Sequence, residues 1–201
     1  MIRVLVAEDM RLLRETLVAS LELESDIEVV AALGDGESIV SEAISTRAEV
    51  AVLDIDLPGV DGLTAADALR RHRPDCAVLI LTVHATPGHL KRAMEIGVSG
   101  LVLKDTPRHE LIQAVRTVAA GGQVLAPALA MAALRTPANP LTDREAEVLR
   151  CLAEGRNPKE IATHLHLSYG TVRNYLASAV TKLQARNRVD ALRLAKDSGW
   201  L

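Results

Sequence analysis

Over the first 120 residues, short apolar runs alternate with longer stretches in which apolar positions return every three or four residues. The runs fall at 2–7, 27–32, 50–53, 77–82 and 100–103, and each is bounded by polar or turn-forming residues. Runs this short and this apolar predict strands buried on both faces of a parallel sheet. The stretches between them, at 11–23, 37–44, 64–72, 88–96 and 106–119, carry one apolar face each and predict helices. Parallel neighbours need crossover connections, so a five-fold strand–helix alternation predicts an α/β doubly wound sheet of five parallel strands. Thr106-Pro107 predicts a helix start with Thr as N-cap and Pro at the first helical position. Gly121-Gly122 stops that helix. Pro127, Pro137 and Pro140 then surround an Ala/Leu-rich stretch, so 121–139 reads as a linker containing at most one short helix.

From 140 onward the strand pattern disappears. Thr142-x-x-Glu145 has the form of a capping box, and Val148, Leu149 and Leu152 continue a helical face to Gly155. Asn157-Pro158 starts a second helix containing Ile161, Ala162 and Leu165. Ser168 caps a third, running through Val172, Leu176, Val180 and Leu183, and a fourth spans 188–197. This predicts a small all-α domain of four helices. His166-Leu167 is a connection short enough for a helix-turn-helix unit. The chain therefore divides into domains at 1–120 and 140–201.

Charge sharpens the division. The whole chain carries a formal charge of −3, which by itself points away from nucleic acid. Yet Asp and Glu outnumber Lys and Arg over 1–120, whereas Lys and Arg are in excess over 140–201, so the average conceals a basic module. Phe is absent, and the core must be built from Ala, Val, Leu and Ile. Cys76 and Cys151 lie in different halves without metal-ligand spacing, which predicts a reduced, cytoplasmic chain. No apolar run approaches a membrane span, and the N-terminus leads straight into a strand without a signal-peptide pattern.

The chemistry collects at the strand ends. Glu8 and Asp9 follow the first run, Asp54 the third, Thr82 closes the fourth, and Lys104 follows the fifth. Open α/β sheets bind ligands beyond the carboxyl ends of their strands, so these residues are expected in one crevice. Singly, each is an ordinary turn or surface residue; jointly they suit a divalent cation and a phosphoryl group. A carboxylate such as Asp54 can attack phosphorus to give an acyl phosphate. Glu8 and Asp9 beside it need a counter-charge, and Mg2+ supplies one. Lys104 can pair with a phosphoryl oxygen and Thr82 can donate to another. Asp56 either faces the site or begins the turn-forming loop 57–62.

Residues 2–120 resemble the receiver domain of bacterial two-component response regulators, a flavodoxin/CheY-like fold. The Glu8-Asp9 pair, Asp54-x-Asp56-Leu57-Pro58-Gly59-x-Asp61-Gly62, Thr82 and Lys104 carry the likeness. The resemblance implies that Asp54 accepts a phosphoryl group from a sensor histidine kinase. It also implies that Glu8, Asp9, Asp54 and the backbone carbonyl of Asp56 hold Mg2+, and that Thr82 and Lys104 read the phosphorylated state. Two positions depart from the pattern. Members often have an aromatic residue three before the Lys, where this chain has Leu101. The Thr is usually followed by a small residue, where this chain has Val83, which is expected to crowd the phosphoryl site.

Residues 140–201 resemble the LuxR-type helix-turn-helix of NarL/FixJ-class regulators. That likeness rests on Leu141-Thr142-x-Arg144-Glu145-x-Glu147-Val148-Leu149, Gly155, Lys159-Glu160-Ile161-Ala162 and the stretch from Ser168 to Lys182-Leu183. It implies that the third helix enters the major groove of double-stranded DNA with paired half-sites. Arg173 and Asn174 are then the candidates for base edges, and Tyr169, Thr171 and Lys182 for phosphates. A phosphorylation-dependent homodimer is expected, with Leu13, Leu17, Ile112 and Val115 as candidate interface residues. Further stretches, Pro87-Gly88, Lys104-Asp105, 138–145, 171–175 and Gly199-Trp200, bring the chain nearest the DesR branch. That branch implies a membrane-bound kinase partner and control of membrane-lipid desaturation. The competing readings are a DNA binder whose receiver is a phosphate-independent scaffold, and an aspartyl phosphohydrolase. The latter class uses a similar Asp-x-Asp pair, but after its first strand; here the pair follows the third and no substrate-covering cap is evident.

Overall fold

The computed structural model describes residues 1–83, 86–125 and 139–201. These residues form two compact units. In the first, strands β1 (Ile2–Ala7), β2 (Ile27–Leu33), β3 (Val50–Asp54), β4 (Ala77–Thr82), β5 (Gly100–Leu103) and β6 (Val124–Leu125) alternate with helices α1 (Arg11–Glu22), α2 (Ile39–Ser45), α3 (Gly62–His72), α4 (Pro87–Ile96) and α5 (Arg108–Ala119). The sheet is parallel throughout, in the order β2-β1-β3-β4-β5-β6. Side chains alternate between its faces. Val4, Val6, Val50, Val52, Leu79, Leu81 and Val102 meet Leu17 and Leu21 of α1 and Leu111, Ile112, Val115 and Val118 of α5 in one buried cluster.

The sheet has six strands where the apolar pattern predicts five. The additional strand is only two residues long, too short to show a period, and lies in the segment read as linker. Val124 N donates to Ser99 O at 3.0 Å. Gly100 makes the approach possible: a Cβ there would sit 3.0 Å from Val124 O and 2.7 Å from Leu79 Cδ1. The short helix allowed within 121–139 falls largely on 126–138, outside the described residues. A second difference is local. Pro107, not Thr106, is the N-cap of α5, and no side chain caps that end. Extended backbone at Pro107 (ψ 143°) delays the first helical residue to Arg108.

The second unit contains α6 (Asp143–Ala153), α7 (Pro158–His164), α8 (Tyr169–Lys182) and α9 (Arg188–Asp197). Its caps are the ones written in the sequence. Thr142 with Glu145 and Asn157 with Glu160 form complete capping boxes, Pro158 opens α7, and Ser168 Oγ accepts from Thr171 N at 3.0 Å. His166 turns the chain between α7 and α8 in the left-handed region (φ 54°). Val148, Leu149, Ile161, Val172, Leu176, Ala179 and Ala195 form the core.

Two glycines give opposite expectations. A Cβ at Gly62 would lie 1.8 Å from Asp54 O, a rigid backbone atom, whereas one at Gly170 meets only Ser168 Oγ at 3.7 Å. Gly62→Ala is therefore expected to lower the unfolding free energy by about 1–3 kcal/mol, and Gly170→Ala to leave it unchanged or raise it. Urea unfolding followed by circular dichroism measures both.

Candidate functional site

The register of the central strands brings the predicted crevice together. Ala7 pairs with Leu53, Asp54 with Leu81, and Thr82 with Leu103, so the carboxyl ends of β1, β3, β4 and β5 finish level. Glu8, Asp54 and Thr82 are buried there, while Asp9 is exposed. Lys104 reaches across from the end of β5. Its Nζ lies 2.9 Å from Asp54 Oδ2 and 3.0 Å from Glu8 Oε1. Glu8 Oε2, at 2.8 Å, completes the ion pair without hydrogen-bond geometry. The backbone joins in, with Lys104 N donating to Thr82 O at 2.8 Å.

Burial raises the pKa of Glu8; the Lys104 hydrogen bond opposes that rise and the neighbouring Asp54 charge adds to it. For Lys104 burial acts downward, but hydrogen bonds to Glu8 and Asp54 outweigh it and hold the ammonium above its ordinary value. One ammonium thus serves two buried carboxylates, with Asp9 close by. Carboxylate oxygens of Glu8, Asp9 and Asp54 lie within 4.8 Å of one another. Asp54 Oδ1 is buried and accepts no hydrogen bond among the described residues. A buried acceptor without a donor is costly, and a hard cation with oxygen ligands would relieve it. The donor set therefore fits a divalent metal. Asp56 is exposed at the start of the loop, and Pro58 O within it accepts from Gly36 N at 3.3 Å. Of the two departures, Leu101 is buried in the sheet, and Val83 is 56% exposed.

In the second unit, Arg173 and Asn174 are exposed on α8, with the Arg173 guanidinium carbon 6.0 Å from the centre of the Tyr169 ring. Thr171 is half-buried, and its hydroxyl lies 2.8 Å from Ser168 Oγ. Lys182 has a contact that its expected phosphate role does not require. Its Nζ is 2.7 Å from Glu145 Oε2, so this ammonium, expected at a phosphate, has a partner inside the bundle. Ser178 Oγ donates to Glu145 Oε1 at 2.6 Å and Thr142 N to Oε2 at 2.7 Å. The sequence marks Glu145 only as a capping-box residue; the contacts to α8 come from residues 33 and 37 positions away and leave no local signal.

The expected dimer residues need a larger correction. Leu17, Ile112 and Val115 are buried in the sheet's own core, and Leu13 packs half-buried against it. Leu17, Ile112 and Val115 are spent on covering the sheet and so do not form an outer surface, whereas Leu13 keeps part of its surface exposed.

Residues 4–116 match the response regulator receiver domain, and residues 139–195 match the bacterial regulatory proteins of the luxR family. The chain belongs to the two-component response regulators with a LuxR-type DNA-binding region, a family of transcription regulators rather than classical enzymes. More particularly, it is similar to the transcriptional regulatory protein DesR of Bacillus subtilis (strain 168), with 43% identity over 200 residues covering 100% of this chain and 99% of that protein. Response regulator RamR of Streptomyces coelicolor is 42% identical over 201 residues, covering 100% of this chain and 98% of RamR. Among solved structures, RcsB of Salmonella enterica serovar Typhimurium bound to a promoter in the presence of the phosphomimetic BeF3- is similar, with a TM-score of 0.71 at 26% identity over 98% of each chain.

Burial works against the Glu145 carboxylate, but donation from Lys182, Ser178 and Thr142 prevails and holds its pKa down at about 2. The folded value lies below the ordinary 4.5, so this stabilisation is complete above about pH 4.5 and fades as pH falls toward about 2. Glu145→Gln is expected to cost about 1–3 kcal/mol near neutral pH and to flatten that acid limb. Thermal unfolding from pH 7 to pH 2 reads both effects.

Proposed function

We propose that Asp54 is the phosphoacceptor and that its phosphorylation by a sensor histidine kinase, membrane-bound as in the DesR branch, switches this cytoplasmic regulator into a DNA-binding homodimer. In this reading 1–120 is the receiver, 121–139 the linker and 140–201 the DNA-binding domain. The observation that carries it is the Glu8–Lys104–Asp54 cluster: a buried carboxylate at a strand end, one oxygen paired to an ammonium and the other without a hydrogen-bond donor among the described residues.

The Asp54 carboxylate forms an O–P bond as the P–N bond of the kinase's phosphohistidine breaks, and the imidazole recovers a proton. Glu8, Asp9 and Asp54, with the Asp56 carbonyl, would hold Mg2+. When bound, Mg2+ neutralises charge on the transferring group. Phosphorylation adds charge and acceptor oxygens at Asp54. Lys104, shared between two carboxylates before transfer, is drawn to the phosphoryl oxygens, and Thr82 supplies a hydroxyl from the neighbouring strand. These contacts exist in only one state and so shift the equilibrium toward it. With leucine at 101, that shift needs no aromatic rotation at this position.

The output is DNA. Arg173 suits guanine and Asn174 adenine, with Tyr169 and Thr171 toward the backbone. Two copies would present their α8 helices to half-sites about one helical turn apart. Promoter binding by RcsB with a phosphomimetic supports the same order of events here.

Sedimentation of wild type and Asp54→Asn, with Mg2+ and with or without beryllofluoride, tests this switch. The expected result is a dimer only for wild type with beryllofluoride; a beryllofluoride-driven dimer of Asp54→Asn contradicts it. Once an operator is in hand, Arg173→Ala is expected to cost about 1–3 kcal/mol of binding and to relax preference at one base pair. A binding titration against single-base operator variants measures this.

A further inference from the structure

Arg14 lies on the half-buried side of α1, among Leu13, Leu17, Val18 and Leu21, where an arginine needs a partner. That partner is no carboxylate among the described residues. Its Nη1 donates to the carbonyl of Glu8 at 2.5 Å and reaches that of Asp9 at 3.4 Å. These are the carbonyls of the two residues whose side chains supply most of the acidic crevice. The same turn is fixed from its other side, where Glu8 N donates to Leu33 O at 3.0 Å. Met10 N donates to Glu8 Oε1 at 3.2 Å. Gly34, next after Leu33, completes the seat: a Cβ there would lie 3.0 Å from Arg14 Nη1. The guanidinium is thus inserted between the acidic turn and the glycine backbone at the end of β2.

We propose that Arg14 is a positioning residue for the divalent-cation site, holding the Glu8–Asp9 turn so that both carboxylates face Asp54. The inference rests on the reading above that this crevice takes a metal ion. Asp9 is exposed, so its direction depends on the backbone that carries it. Charge-assisted hydrogen bonds to two consecutive carbonyls restrain that backbone. The guanidinium's charge by itself would oppose a cation, so geometry and charge predict opposite effects of removing it.

The test titrates the full chain with Mn2+, following free Mn2+ by electron paramagnetic resonance, in wild type, Arg14→Lys, Arg14→Met and Gly34→Ala. All three variants are expected to bind Mn2+ about ten-fold more weakly, with Lys no better than Met. At saturating Mn2+ the maximal rate of Asp54 modification by acetyl phosphate should return to the wild-type value. Unchanged affinity in the variants, or tighter binding by Arg14→Met with Arg14→Lys unchanged, overturns the positioning role alone. Gly34→Ala keeps Arg14 and pushes on it from behind, so it decides the matter if an Arg14 variant does not fold; wild-type affinity in Gly34→Ala then overturns the proposal. A wild type that binds no Mn2+ overturns the metal reading itself, and Arg14's role with it.

Discussion

Lys104 is the cation that joins the buried carboxylates of the crevice. Its Nζ stands within 3 Å of both Glu8 and Asp54, buried carboxylates delivered by different strands. Two such charges taken out of water would be strongly destabilising without it. The rest of the receiver serves to make this contact possible. Parallel register finishes four strands level, aliphatic helices α1 and α5 close one face, and glycine at 62 lets the following loop pass against the Asp54 carbonyl. Because one ammonium is divided between two acids, an oxygen of Asp54 is left over among the described residues. That surplus is a structural cost and also the chemical opportunity.

The DNA-binding unit uses the same device to the opposite end. Glu145 is as buried as Asp54, and it too has a lysine partner, Lys182. Here, however, Ser178 and Thr142 supply the remaining donors, and no Glu145 oxygen is orphaned among the described residues. The pair ties the start of α6 to the far end of α8. A fully satisfied buried carboxylate rigidifies its surroundings, whereas a partly satisfied one is disposed to react or bind. The first describes the helix that carries Arg173 and Asn174, and the second describes Asp54, the proposed phosphoacceptor.

Much of this was legible in the sequence, for definite reasons. Buried parallel strands must be apolar throughout, so 2–7, 77–82 and 100–103 announce themselves, and the acids, hydroxyl and lysine at their ends follow from the topology of open α/β sheets. The caps at Thr142, Asn157 and Ser168 are local and carry local signatures. Features made by distant residues were not legible. Two-residue β6 depends on the space left by Gly100, the Lys182 partner lies 37 positions away, and Arg14 is recognisable only once its seat beside Gly34 is known. Leu17, Ile112 and Val115 show a further limit, because a helix's apolar stripe has the same spacing whether it covers its own sheet or a second subunit.

The most direct test of the account is intact-mass analysis of the full chain after exposure to acetyl phosphate and Mg2+, with the modified peptide sequenced and Asp54→Asn run in parallel. The account predicts the gain of one phosphoryl group, confined to Asp54 and absent from the variant. A phosphoryl group on another residue, an equal gain in Asp54→Asn, or no gain in wild type would contradict it.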